Sequence, residues 1–350
     1  MNLIQITLAI MACLTLPNTA AAQKRNLSAK EIPSYMGDWD GGYINPEPGI
    51  WPQRNPSLVA RVVGRKTGSY EVQFMNAFDR RAEIEFGAIV KPKKGAIHYA
   101  DDKVRFEIRG DRLTGAHKFM KHGKTVWAPF ELMKVERLSP TIGLPPAPGA
   151  QQLINPGLEQ WQHPKGNIPS WKYIGDGILE CYPKKAGNKK GGNLETKNGY
   201  KDIELHLEYR LPYEPENSGQ SRANSGLFIQ GVYEIQILDS YGISPGWTDC
   251  GALYKVSPPK INACLPPGLW QTYDVTFKAA RFDDEGKMTS PPEITVLHNG
   301  KVIHLDQPMA EITQFSETNR MGKHPTEAKP ILLQDHGHPI QFRNFWILAN

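Results

Sequence analysis

Polar and apolar residues follow one another in short runs along most of the chain, and the period of those runs is close to two. In the first half such runs fall at residues 58–63, 70–74, 82–86 and 104–108, divided by turn sequences at 64–68 and 109–112. In the second half they fall at 203–209, 226–229, 233–238, 272–277, 294–298, 331–334 and 340–347. A period of two is that of a strand with one buried and one exposed face. Asn299-Gly300 has the composition of a hairpin turn with positive φ angles. No segment keeps a helical period over three turns. The pattern predicts an all-β protein, a jelly-roll sandwich preceded by a small antiparallel β domain.

Residues 140–149 hold four prolines and two glycines, which predicts a stiff, extended linker. The chain therefore divides into a β domain at 33–138, a linker at 139–150 and a larger β domain at 151–350. Near the start of the first domain, Trp39 and Tyr43 lie in a glycine-rich strand and are expected to plug the end of a barrel.

Composition adds constraints. Residues 1–22 run from an apolar stretch to Pro17 and Ala20-Ala21-Ala22, the form of a signal peptide, so a secreted or periplasmic protein is expected. No later stretch reaches the roughly 18–20 apolar residues that span a bilayer. The net charge of +5 is mild, and the basic run at 184–190 lies among glycines without a nucleic-acid motif; no nucleic-acid partner is expected. Beyond the signal, three cysteines remain. Cys250 and Cys264 are the pair expected to oxidise, closing a small loop worth about 3 kcal/mol. The cysteines and histidines lack zinc spacing.

Three stretches carry candidate chemistry. In 224–239, Glu234 and Gln236 leave one face of a strand while Tyr233, Ile235 and Ile237 leave the other, and Asp239 follows. In 203–210, Glu204, His206, Glu208 and Arg210 share a face; on a curved sheet this wet face could line the same cleft. Near the end, Gln334, Asp335 and His336 precede Arg343. An Asp-His pair can hold an imidazole as a general base, but no GxSxG elbow supplies a nucleophile.

Taken together, residues 192–196, 200–202, 224–228, 233–239, 251–254, 299–300, 331–337 and 342–344 resemble the 3-keto-disaccharide hydrolase family across about 155–349. The first domain also resembles a β domain that precedes it in some bacterial members. The resemblance implies a concanavalin-like jelly roll that cleaves glycosides already oxidised at C3: a base removes the C2 hydrogen, the C1 oxygen is eliminated, and water adds back. It implies Glu234, His336, Glu208 and Asp239 as catalytic candidates, with Glu234 or His336 as the base. Asn224, Gln236, Tyr254, Gln334 and Arg343 become substrate-binding candidates. It allows a divalent metal to stabilise the enolate. Three departures bear on substrate choice: Gln230 where relatives often carry Arg, Trp270-Gln271 where Trp-Asn is usual, and a longer polar insertion at 212–222. Two alternatives stand beside this reading: a non-catalytic carbohydrate-binding protein, and a glucanase-like hydrolase built on Glu234 and Asp239.

Overall fold

The computed structural model describes residues 32–44, 57–78, 84, 86–121, 123–154, 157–164, 171–182, 192–313 and 323–349. The expected signal peptide, the basic run and most of the 82–86 run lie outside them. The described residues contain strands, turns and short 3-10 segments but no α-helix, and no helix among them is long and apolar enough to cross a membrane.

The first domain is one eight-stranded sheet of β1 (Gly37–Tyr43), β2 (Ser57–Arg65), β3 (Ser69–Met75), β4 (Phe86–Val90), β5 (Ile97–Ala100), β6 (Val104–Arg109), β7 (Arg112–Lys121) and β8 (Lys124–Val135). Its order, β4-β3-β2-β1-β8-β7-β6-β5, is an up-and-down meander curled into a barrel. Trp39, Val62, Val72, Phe74, Ile108, Leu113 and Phe130 fill the inside. Trp39 is thus a core residue, its indole N–H donating to the Tyr35 carbonyl at 3.2 Å.

The second domain packs two sheets face to face. One contains β10 (Trp161–Gln162), β13 (Leu194–Thr196), β22 (Leu332–Leu333), β15 (Ser225–Ile229) and β16 (Tyr233–Ile237) in that order. The other runs β11 (Lys172–Tyr173), β12 (Leu179–Glu180), β23 (Gln341–Ala349), β14 (Ile203–Arg210), β17 (Trp270–Lys278), β20 (Glu293–His298) and β21 (Lys301–Pro308), with β9 (Gln151–Gln152) against β23. A small ribbon pairs β18 (Arg281–Phe282) with β19 (Met288–Ser290). Leu205, Leu207 and Tyr209 meet Leu227, Ile229, Ile235 and Ile237 in the seam, each such burial worth roughly 1.5–3 kcal/mol. Asn299 and Gly300 both have positive φ, 51° and 72°, as the β20–β21 turn requires.

The expected disulfide is not formed. Cys250 and Cys264 are free, buried thiols. Cys250 Sγ instead contacts the hydroxyls of Tyr273 at 3.2 Å and Tyr209 at 3.4 Å, in a hydrogen-bonded polar pocket of the seam.

The proline-rich segment is a strap rather than a spacer. It lies across the outer face of β14, β17 and β23. Ser139 Oγ meets Thr272 Oγ1 at 2.6 Å, Thr141 donates to Asp274 at 2.7 Å, and the Gly143 N–H donates to Glu208 at 2.6 Å. Asn344 and Trp346 donate side-chain N–H groups to the Leu144 carbonyl at 3.0 and 3.3 Å. Beneath it, His206 Nδ1 lies 2.6 Å from Asp274, and Arg343 Nε donates to Glu208 at 2.6 Å. Burial pushes the Glu208 carboxyl up, but His206, Arg343, Asn344 and the Gly143 amide outweigh it and hold it at about 2. Burial likewise pulls His206 down, and its two carboxylate neighbours overcome this and raise it to about 9.

The signs fix a pH window. The Glu208 contribution is complete above the ordinary 4.5 and disappears as pH falls through about 2, while that of His206 is complete below 6.5 and disappears as pH rises through about 9. Glu208→Gln, which leaves Arg343 without its partner in a buried network, should cost about 3–5 kcal/mol in urea unfolding at pH 5.5. A loss below 1 kcal/mol would show that the strap does not depend on this carboxylate.

Candidate active site

Alternation decides which predicted residues can meet. Cross-strand partners point to the same face of a sheet. In the β15–β16 ladder, Gly226 opposes Gln236, Phe228 opposes Glu234 and Leu227 opposes Ile235. Leu227 and Ile235 enter the seam, so Gly226, Phe228, Glu234 and Gln236 share the outer face of that sheet. Asn224 keeps the same parity at the start of β15. Gln334 follows β22, with its backbone N–H donating to the Gly226 carbonyl at 3.0 Å. His336 is exposed in the bend that follows.

Glu234 is the centre of this face. Its side chain leans across Gly226, where a Cβ would fall 2.5 Å from Glu234 Oε1 and 2.8 Å from Phe228 Cε2; only glycine leaves room for the carboxyl in that position. The Glu234 backbone N–H donates to Thr313 Oγ1, whose hydroxyl donates on to the Val232 carbonyl at 2.8 Å. Glu234 is 4 % exposed, and burial pushes its carboxyl up to about 8. Tyr254, whose N–H donates to the Glu234 carbonyl at 3.1 Å, has its phenol raised by burial and then by the Glu234 charge.

Around this carboxyl stand neutral amides. Gln236 Nε2 donates to Gln220 Oε1 at 3.0 Å, and Asn224 Nδ2 donates to the Gln220 carbonyl at 2.8 Å and to Gln220 Oε1 at 3.2 Å. Two buried acceptors on the face, Asn224 Oδ1 and Gln334 Oε1, have no donor within the protein. Buried acceptors left so are uncommon and costly.

The remaining candidates lie elsewhere. Glu208 and Arg343 pair on the outer face of the other sheet, on the far side of the seam and under the strap. Arg343 also stacks on Trp270, 4.1 Å from the ring centroid. The curvature expected to unite the two polar rows does not do so, because the rows belong to sheets packed back to back. Asp239 is just past β16, in a buried ion pair with Arg222 Nε at 2.7 Å; burial raises its carboxyl and Arg222 pulls it back.

Three residues of the 212–222 insertion serve this region and were not predicted. Gln220 orients Asn224 and Gln236, Arg222 neutralises Asp239, and Glu214 Oε2 lies 2.8 Å from His338 Nδ1. Nothing in their spacing marks them. The one available signal was the departure in length itself.

Hard cations take carboxylate and amide carbonyl oxygens, and this face offers one carboxyl, Glu234, with the amide oxygens Asn224 Oδ1 and Gln334 Oε1. Among the described residues, the three-ligand cluster able to hold a metal is Cys250, Cys264 and His298, buried in the seam and made of soft donors.

Comparison with known proteins agrees with this architecture. No curated protein matches the chain. A solved structure of a candidate glycosyl hydrolase from Parabacteroides distasonis ATCC 8503 is 34 % identical, with a TM-score of 0.51, over 58 % of this chain and 84 % of that one. A second from the same organism is 19 % identical, with a TM-score of 0.39, over 57 % and 93 %. The model of the 3-keto-alpha-glucoside-1,2-lyase-like domain matches residues 149–348, the whole sandwich that carries Glu234, and the chain belongs to that family.

Proposed function

We propose that the protein cleaves 3-keto-glycosides by elimination, with Glu234 as the base. The observation that carries this reading is a single buried carboxyl, held near pKa 8 on a face otherwise made of neutral amides and a phenol. A C3 ketone acidifies the C2 hydrogen. The Glu234 carboxylate takes that proton, the electron pair becomes the C2–C3 enolate, and the C1–oxygen bond breaks with return of the ketone. The departing oxygen takes a proton from an acid, for which Tyr254 and His336 are the candidates. Water then adds at C1 and gives up a proton to the deprotonated acid, and Glu234 returns its proton to C2. Asn224, Gln236 and Gln334 hold the sugar hydroxyls and the enolate oxygen. No step is routed through a metal.

A base with pKa near 8 is stronger than an ordinary carboxylate and still ionised in a useful fraction near neutrality. The same geometry disfavours a double-displacement glucanase, which needs a second carboxyl about 5–5.5 Å from the first. Glu208 and Asp239 are both committed to ion pairs away from Glu234. The protein matched at 34 % identity is described as a candidate glycosyl hydrolase, which supports the sugar-cleaving class.

With 3-keto-trehalose or 3-keto-lactose as substrate, kcat/KM should rise with pH and level off above about 8. A profile that falls there would instead make Glu234 the acid. Glu234→Gln should lower turnover about 10²–10⁴-fold, and turnover should survive EDTA. The same substitution carries a second expectation. Between pH 4.5 and about 8 the folded chain holds a proton that the unfolded chain has released, so wild-type stability falls over that range. The melting temperature of Glu234→Gln should therefore gain on wild type from pH 5 to 8.5; equal curves would mean that the carboxyl is not held neutral.

A further inference from the structure

The loop after β16 carries Trp247, which is 57 % exposed and, among the described residues, the one tryptophan presented openly to solvent. A single exposed apolar side chain is ordinary on a protein surface, but an indole is a large flat apolar face of the kind enriched where ligands and partners bind, above all when its loop is held in place. This loop is not loose. Gly246 N–H donates to Asp249 at 2.7 Å, and Asn262 Nδ2 donates to the carbonyls of Ser240 and Ile243 at 2.7 and 2.6 Å. Gln220 Nε2, which belongs to the candidate site, donates to the Thr248 carbonyl at 2.7 Å.

The barrel holds the other end. Tyr241 OH donates to Asp38 at 2.6 Å, and Gln73 Nε2 donates to the Gly242 carbonyl at 2.7 Å. Asp38 is buried beside Arg61 and Arg137. Met36, Val63, Tyr213 and Tyr241 form an apolar cluster across the junction. Gly242 has a φ of +78°, and a Cβ there would lie 2.4 Å from Val63 Cγ2, so the barrel and this loop approach as closely as backbone permits.

The position of Trp247 relative to Glu234 follows from the backbone. The 251–254 segment runs along β16, with the Tyr254 N–H on the Glu234 carbonyl, and the next residue, Lys255, donates its N–H to the Trp247 carbonyl at 2.8 Å. Two backbone hydrogen bonds and one residue step link Glu234 to Trp247, so their backbones lie within roughly 10 Å, about two strand spacings. That is the reach of a second sugar ring joined to one held over Glu234.

We propose that Trp247 is the stacking platform for the second, departing pyranose ring of a disaccharide substrate, and that the barrel's role is to brace the loop that presents it. The flat apolar face of a pyranose suits an indole, and a braced platform loses little freedom on binding. The inference deepens the 3-keto-glycoside reading and rests on it only for the identity of the first ring.

The test is calorimetric titration of the full chain in the Glu234→Gln background with 3-keto-trehalose and 3-keto-glucose, comparing Trp247 with Trp247→Ala and Trp247→Phe. The disaccharide should bind about tenfold more weakly to Trp247→Ala, the monosaccharide should be unaffected, and Trp247→Phe should retain most of the affinity. Tyr241→Phe, which removes the bond to Asp38, should weaken disaccharide binding in the same direction. Unchanged disaccharide affinity in Trp247→Ala, or equal losses for both sugars, overturns the platform. If the parent ignores keto sugars but binds unoxidised trehalose with the same dependence on Trp247, the platform stands and the keto reading falls. A parent that binds no sugar overturns both.

Discussion

The filled seam between the two sheets is the constraint from which the rest of the second domain follows. Leu205, Leu207 and Tyr209 from one sheet and Leu227, Ile229, Ile235 and Ile237 from the other leave no space there for charge. Strands β14, β16 and β23 therefore send their charged side chains outward, and the two outward directions are opposite. Glu234 and Gln236 go one way; His206, Glu208 and Arg343 go the other. Two clusters that look alike in composition are separated by the thickness of a sandwich and take on different work.

Their environments then set their chemistry. Glu208 is surrounded by donors, which pull its carboxyl far down and make it an anchor for the strap. Glu234 has amides and a phenol for neighbours, and desolvation pushes its carboxyl far up. The first arrangement is stable and unreactive. The second stores an energetic cost in the ionised state, which is what a base near neutrality requires. Both are buried glutamates on strands of the same domain, and the difference lies wholly in what faces them.

The sequence made much of this legible. Strict alternation at 203–209 and 233–238 located β14 and β16, and Asn299-Gly300 located a hairpin. It also placed Glu234 with Gln236 and opposite Ile235. Alternation says which side of its own strand a residue occupies, but not which sheet the strand joins, so Glu208 and Arg343 were grouped with Glu234. β21 was missed although it must follow the Asn299-Gly300 turn, because its exposed Val302 and Leu305 blur the period. The roles of Gln220, Arg222 and Trp247 depend on loop conformations fixed by contacts distant in sequence, and no local pattern encodes those.

The junction at Asp38 has a consequence for how the molecule comes apart. Its carboxylate is shared among Arg61 and Arg137 of the first domain and its junction and Tyr241 of the second. Gly242 is seated against Val63, and the strap is bonded along the outer sheet. Separating the barrel from the sandwich would strip a buried carboxylate of one partner and open the apolar cluster to water before either core had loosened. The two cores are thereby coupled through the junction rather than merely tethered, because parting them exposes polar and apolar groups that belong to both.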